Sequence, residues 1–259
     1  MKTIILYIFS LVHHNNLIIK SANTDSMTDL PNQYGLLEQV EKIKARHEIK
    51  KYNSYYFDIA RMGQLNRRYG VDNGDVIIKK YAAYIEDKIE NDEVLSRLGG
   101  NFFVALIKRE NADKFLEMLQ GVPVEIESGG ERQTVMVTAV AGGYEIDAGN
   151  IISEQVIGNA ALAVSIAKNV RKKPYVYLTQ ELLAELNESR QLEERIPGAL
   201  RNEEFKPYYQ PKVNAETLEL CGAEALARWE CDNTVVPPYK FVPLMERNDS
   251  ICRLDFYIL

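Results

Sequence analysis

Hydrophobic and polar positions follow helical and strand periods along nearly the whole chain. Residues 17–47 carry two helical patterns, separated by the turn-type triplet Leu30-Pro31-Asn32. The second runs from Tyr34 to about Arg46, with Leu36, Leu37, Val40 and Ile43 on one side. Tyr55–Ile59 is a short aromatic and β-branched run of buried-strand character. A helix from about Arg61 closes at Tyr69-Gly70, because glycine accepts the left-handed conformation that commonly ends a helix. The next begins near Asp72 and reaches about Glu90, with Val76, Ile77, Tyr81, Ile85 and Ile89 on one face.

Strands are expected around Val94–Leu98 and Phe102–Ile107, joined by the hairpin-type residues Gly99-Gly100-Asn101. A helix (Asp113–Leu119), two strands (Pro123–Glu127 and Thr134–Ala141) and a helix (Glu154–Asn169) complete the pattern. Strands alternating with helices predict a layered α/β or α+β domain that ends near residue 180. Residues 180–203 read as one charged helix with Leu182, Leu183, Leu186 and Leu192, a connector. Beyond it Phe205–Val213 and Leu218–Trp229 read as strands of a second, unfinished domain.

Composition narrows the chemistry. The chain of 259 residues is 46% hydrophobic and 26% charged, an ordinary globular balance. Its 31 basic and 37 acidic residues leave a net charge of -6, which argues against nucleic-acid binding through a broad basic surface. The three histidines, His13, His14 and His47, all precede residue 48, so chemistry further on rests on carboxylates, amides, lysines or a carboxylate-held metal. Cys221, Cys231 and Cys252 have no metal-ligand spacing and read as reduced thiols. The apolar stretch Thr3–Val12 is too short to span a bilayer and reads as a signal core, a helical lead-in or the stump of an upstream region.

Several side chains are candidates for function, each with a plainer alternative. Asp58 stands near the carboxyl end of an otherwise apolar strand, where ligands gather in α/β sheets. It either holds a cation or lies at a wet edge. Asn66 and Asp75 flank the Gly70 break, and Asp75, three after Asp72, also suits an acidic helix start. Lys168 and Lys172, four apart before Pro174, could grip a phosphate or complement a helix C-terminus. In the strand 218–229, Cys221, Ala223, Ala225, Ala227 and Trp229 form an apolar face, and Glu224 and Arg228 lie on the other. That pattern suits a barrel interior with a polar mouth, or a salt-bridged solvated face.

Together these residues resemble a known family. Asp25-Ser26-Met27-Thr28-Asp29-Leu30-Pro31-Asn32, the Asp58/Asn66/Asp75 spacing, Arg97-Leu98-Gly99-Gly100-Asn101-Phe102-Phe103 and Ala167-Lys168 resemble a GGDEF domain over about residues 25–180. That is the diguanylate cyclase family, which condenses two GTP into cyclic di-GMP. Tyr208-Tyr209-Gln210-Pro211-Lys212, Gly222–Trp229, Val236-Pro237-Pro238 and Phe241-Val242-Pro243-Leu244 resemble the opening of an EAL domain, a TIM-barrel cyclic di-GMP phosphodiesterase. The resemblance implies a mixed sheet flanked by helices, then the truncated start of a (β/α)8 barrel. The implied organisation is a lead-in (1–24), a degenerate GGDEF domain (25–180), a connector (181–203) and an EAL fragment (204–259).

The resemblance also assigns roles. Asp58 and Glu224 match metal ligands for Mg2+ or Mn2+. Asn66 and Asp75 match the guanine-reading pair, while Gly99, Gly100, Lys168 and Lys172 fall at nucleotide-binding positions. Gln210 and Arg228 match cyclic di-GMP contacts. GTP and cyclic di-GMP are thereby candidate ligands and a homodimer a candidate assembly, with a cytoplasmic location and any membrane tether upstream of residue 1.

The departures are specific. Asn101 and Phe102 replace the signature acids, and neither an amide nor a phenyl ring can act as base; the ring cannot ligate magnesium. Arg61-Met62-Gly63-Gln64 stands where the family has a lysine, and Glu90-Asn91-Asp92-Glu93 replaces its inhibitory Arg-x-x-Asp site. No cyclase activity is therefore expected. A (β/α)8 barrel takes about 250 residues, so the remaining metal carboxylates, asparagine and lysine of the EAL family are expected beyond Leu259. One glutamate cannot clamp two metal ions, so no hydrolysis by this chain is expected either.

Overall fold

The computed structural model describes residues 22–231, 234–247 and 250–258. Residues 1–21 of the lead-in, with its apolar stretch and the start of the first helical pattern, lie outside them. The described rest of that pattern is not a helix beyond Asn23, because Thr24 bridges to Pro31 and Ser26–Thr28 form a turn. The chain divides into two compact units at Leu178/Thr179.

The first unit is one five-stranded sheet between two helical layers. Its strands are β1 (Tyr52–Ile59), β2 (Val94–Gly99), β3 (Phe102–Lys108), β6 (Ala139–Glu145) and β7 (Tyr175–Tyr177), in the order β2-β3-β1-β6-β7. β4 (Val122–Ser128) and β5 (Glu131–Val137) form a separate hairpin. The helices are α1 (Gln33–Ala45), α2 (Met62–Tyr69), α3 (Val71–Lys88), α4 (Ala112–Met118) and α5 (Ser153–Ile166).

β1 is antiparallel to both β3 and β6, which makes it the middle of the sheet and explains its near-complete burial. Side chains alternate between faces along a strand. Tyr55, Phe57 and Ile59 enter one core with Ile77, Tyr81 and Ile85 of α3, Phe103, and Phe115 of α4. The opposite face of the sheet, through Tyr52, Val104 and Leu106, joins a second core with Leu36, Val40 and Ile43 of α1 and Val156 of α5. Asp58 belongs to this second face. α5 lies so close on β6 that a Cβ at Gly142 would meet Val164 N at 2.0 Å and Ala160 O at 2.3 Å.

Several predicted elements change on folding. β1 starts at Tyr52, because Tyr52 and Asn53 already find ladder partners in β3 and β6. The single strand expected at Thr134–Ala141 is two strands in two sheets, parting at Thr138. Apolar alternation alone does not register a change of partner. The helix expected to Asn169 ends at Ile166 and passes into a π turn, Ala167–Arg171, closed by Lys173 N to Ala167 O at 3.0 Å. β7, three residues long and parallel to β6, is too short for a sequence pattern. No side chain caps α3, whose N-cap is Gly70 at φ 87°, so Asp75 has no capping role.

The second unit begins with α6 (Gln180–Arg201), capped by Thr179 Oγ1 accepting from Leu182 N at 3.2 Å. β8 (Phe205–Val213), β9 (Leu220–Cys231) and β10 (Thr234–Val236) form an antiparallel sheet ordered β10-β9-β8, followed by α7 (Pro238–Arg247) and α8 (Ile251–Ile258). Phe205, Trp229 and Phe241 meet in its core with Ile196 and Ala199 of α6. The outer half of β9, Leu220–Ala225, is exposed on both faces. Of its apolar stripe, Trp229 is buried in this core and Ala227 packs against it, while Cys221, Ala223 and Ala225 are exposed.

Candidate functional site

The site gathers at the carboxyl end of β1. Asp58 is opposite Phe102 in the β1–β3 ladder, so the carboxylate and the ring leave the same face side by side. Lys168, in the π turn after α5, donates a hydrogen bond to Asp58 Oδ2 and holds its ammonium 5.7 Å from the centre of the Phe102 ring. Asp58 is 7% exposed, and its Oδ1 is buried without a partner. Asn101 Nδ2 donates to Ile59 O at 2.9 Å, so its amide holds the turn against β1.

The glycine turn is built for tightness: Gly99 at φ 107° and Gly100 at φ 53° adopt conformations that side chains disfavour. Arg97 clamps it. Its Nε and Nη2 donate to Gly100 O at 3.1 and 2.6 Å, and Nη1 donates to both oxygens of Asp25 at 2.7 Å. Asp25 also accepts from Thr28 N and Oγ1, at 3.0 and 2.8 Å. Burial works to raise its pKa, but the Arg97 and Thr28 hydrogen bonds and the Arg97 charge outweigh that and hold it below its ordinary value. The whole segment 25–31 lies along β2, with Arg97 N donating to Pro31 O at 3.0 Å and Ser96 Oγ to Pro31 O at 2.7 Å.

Asn66 and Asp75 sit on the adjacent helices α2 and α3. Asn66 Oδ1 is buried without a partner and packs where a Gly74 Cβ would stand, 2.0 Å away. Asp75 is exposed. Lys168 and Lys172 both line a groove of about 930 Å3, but Lys172 reaches it from a left-handed residue at φ 50° ending the π turn, not from a shared α-helical face. Arg61, Arg68 and Lys173 line the same groove. The sequence reading misses these three. Arg61 stands in the segment where the family's lysine is missing, and its backbone there is left-handed at φ 55°.

At the corner where the Arg-x-x-Asp site is absent, Lys108 Nζ binds Glu90 at 2.8 Å and Asp92 at 2.9 Å. Hydrogen bonds to these two carboxylates raise its pKa. In the second unit Gln210 and Glu224 are directly paired across β8–β9, and Arg228 shares their face. Glu224 Oε2 meets Lys212 Nζ at 3.2 Å, and Arg228 lies 5.9 Å from the Tyr208 ring centre.

The donor set beside Asp58 does not suit a hard divalent cation. Magnesium needs several oxygen ligands; here a lone carboxylate faces a lysine and a phenyl ring, and the nearby amide is engaged with the backbone. Among the described residues no group of three or more His, Cys, Asp or Glu is placed to hold a metal, and Glu224 is ion-paired with Lys212 and opposite Gln210. No described helix is long and apolar enough to cross a membrane.

Comparison with known proteins bears on the family and the fold. Over 260 aligned residues, 96% of the chain, it is 28% identical to the bifunctional diguanylate cyclase/cyclic di-GMP phosphodiesterase MucR of Pseudomonas aeruginosa. It is 25% identical over 92% of its length to the cyclic di-GMP phosphodiesterase PdeR of Escherichia coli. The chain spans 37% and 36% of these relatives. Among solved structures, the coiled coil and GGDEF domain of DgcB from Caulobacter crescentus aligns with a TM-score of 0.55 at 17% identity, over 67% of this chain and 94% of that one. Diguanylate cyclase SiaD of Pseudomonas aeruginosa aligns at 0.51 and 23%, over 64% and 66%. These likenesses bear on the fold. Residues 193–259 match the EAL domain family. Residues 22–174 match the family described as diguanylate cyclase, GGDEF domain, and to that family the chain belongs.

Proposed function

We propose that the chain is part of a cytoplasmic cyclic di-GMP signalling protein whose GGDEF domain has lost cyclase chemistry. In this reading the domain binds GTP and regulates an EAL phosphodiesterase. The observation that carries it is the signature turn. Asn101 is tied to Ile59 O and Phe102 stands beside Asp58, so the place where two acids would activate a hydroxyl and hold metal offers neither. Asn66 Oδ1 and Asp75 remain for guanine, and Lys172 for phosphate. On the EAL side, Gln210, Glu224 and Arg228 share one face and supply part of a cyclic di-GMP and metal site. A second reading, a catalytically silent scaffold that could act as a homodimer, is favoured by the engagement of Lys168 with Asp58.

The test is a calorimetric titration of the chain with GTP, with and without magnesium, beside Asp75→Ala. Saturable binding that the substitution weakens supports the nucleotide-responsive reading. No binding at millimolar GTP by folded protein leaves the scaffold. Cyclic di-GMP formed from GTP, and lost in Asp58→Ala, would refute the loss of cyclase chemistry.

A further inference from the structure

The groove beside the π turn is unusual for so acidic a chain. Five of its lining residues are cations (Arg61, Arg68, Lys168, Lys172 and Lys173) and none is a carboxylate, although the chain carries a net charge of -6. Lys168 is committed to Asp58. Among the described residues Arg61, Lys172 and Lys173 have no ion-pair partner, and Arg68 only stacks on the Tyr69 ring, 5.1 Å from its centre. Unpaired like charges around one concavity repel each other, and an anion relieves that repulsion.

A divalent cation has no place in this arrangement. It would compete with four free cations for the same anionic oxygens, and beside Asp58 it would meet the Lys168 ammonium and the Phe102 ring. We propose that this groove binds an oligophosphate as the metal-free polyanion, its arginines and lysines neutralising the charge that magnesium would otherwise screen. The Lys168 ammonium meanwhile compensates Asp58 permanently. For a nucleoside triphosphate this deepens the nucleotide reading above and rests on it. For an inorganic oligophosphate it does not.

Four titrations of the full chain separate these cases: GTP and inorganic tripolyphosphate, each in EDTA and in excess magnesium. Both ligands are expected to bind in EDTA, and magnesium to weaken each by at least about threefold, because it neutralises what the groove recognises. Arg61→Asn/Lys172→Asn is the matching variant, asparagine being tolerant of the left-handed backbone at both positions. It is expected to weaken both ligands by about tenfold or more, the scale of losing charge-assisted contacts, with an unchanged circular dichroism spectrum. Lys173→Ser, at a residue whose own φ is not positive, is expected to weaken them to a smaller extent.

Binding seen only with magnesium, or EDTA affinities unmoved by Arg61→Asn/Lys172→Asn, overturns the proposal. If GTP then binds as its magnesium complex and Asp75→Ala weakens it, the nucleotide reading stands alone. If tripolyphosphate binds in EDTA as tightly as GTP and Asp75→Ala changes nothing, the oligophosphate groove stands and guanine recognition falls. Absence of binding by either ligand in either buffer overturns both.

Discussion

Replacing Lys168 with methionine keeps the apolar stem of the side chain and deletes its charge. Asp58, whose side chain is 10% exposed, would then be a buried carboxylate without its lysine. Two unit charges about 4 Å apart at an effective dielectric near 20 attract by about 4 kcal/mol. The Lys168 side chain is 34% exposed, so water screens part of this, and wholly exposed pairs are worth only about 0–1 kcal/mol. Removing one partner of a buried pair, in contrast, costs about 3–5 kcal/mol. The loss for Lys168→Met is therefore placed between these limits, at about 1–3 kcal/mol. Urea unfolding followed by circular dichroism measures it, and urea, being uncharged, leaves the pair unscreened. Asp58→Asn/Lys168→Met completes a double-mutant cycle and is expected to be more stable than Lys168→Met alone. A coupling energy below about 0.5 kcal/mol would refute the claim that Lys168 compensates Asp58.

Other outcomes follow from neighbouring geometry. Asp25 has a lowered pKa in the folded protein, so its ion pair stabilises the fold above the ordinary carboxylate value of 3.8 and loses that effect as pH falls through the lower folded value. Asp25→Asn is accordingly expected to cost about 1–3 kcal/mol near neutral pH, and its deficit against the parent to narrow below pH 3.8 in unfolding curves taken across pH. Gly74→Ala puts a methyl 2.0 Å from Asn66 Oδ1 and must displace that amide, so a GTP titration is expected to show weaker binding with tripolyphosphate affinity unaltered. Gly142→Ala meets backbone, not a movable side chain, and is expected to lower stability by about 1–3 kcal/mol in the same urea assay.

The helical layers were legible because their faces repeat: Leu36, Val40 and Ile43 of α1, and Ile77, Tyr81 and Ile85 of α3, all reach a core. Gly70, and the pair Gly99-Gly100, marked breaks that the backbone uses at positive φ. What the sequence concealed depends on distant partners. Thr138 separates two strands that belong to different sheets, and nothing local records which strand lies alongside. The π turn is closed where Lys172 N and Lys173 N both donate to Ala167 O. Asp58 and Lys168 were each singled out, but their pairing joins residues 110 apart and required the fold itself. Arg61 went unread because its direction is set by a backbone conformation that an arginine seldom adopts.

Arg97 ties three separate stretches of chain with one side chain: the segment at Asp25, its own strand and the carbonyl of Gly100. These ties close at different times during folding. The β2–β3 hairpin is local and can form in about 1–10 μs, whereas Asp25 must be brought in from 72 residues away. Until it arrives, the guanidinium has the Gly100 carbonyl but not its counter-charge. The glycine turn is then a finished shape with an unfinished lock. Protection of its amides against solvent exchange would rise only when the segment ahead of α1 docks, so that a stretch at the start of the domain decides when its middle becomes rigid.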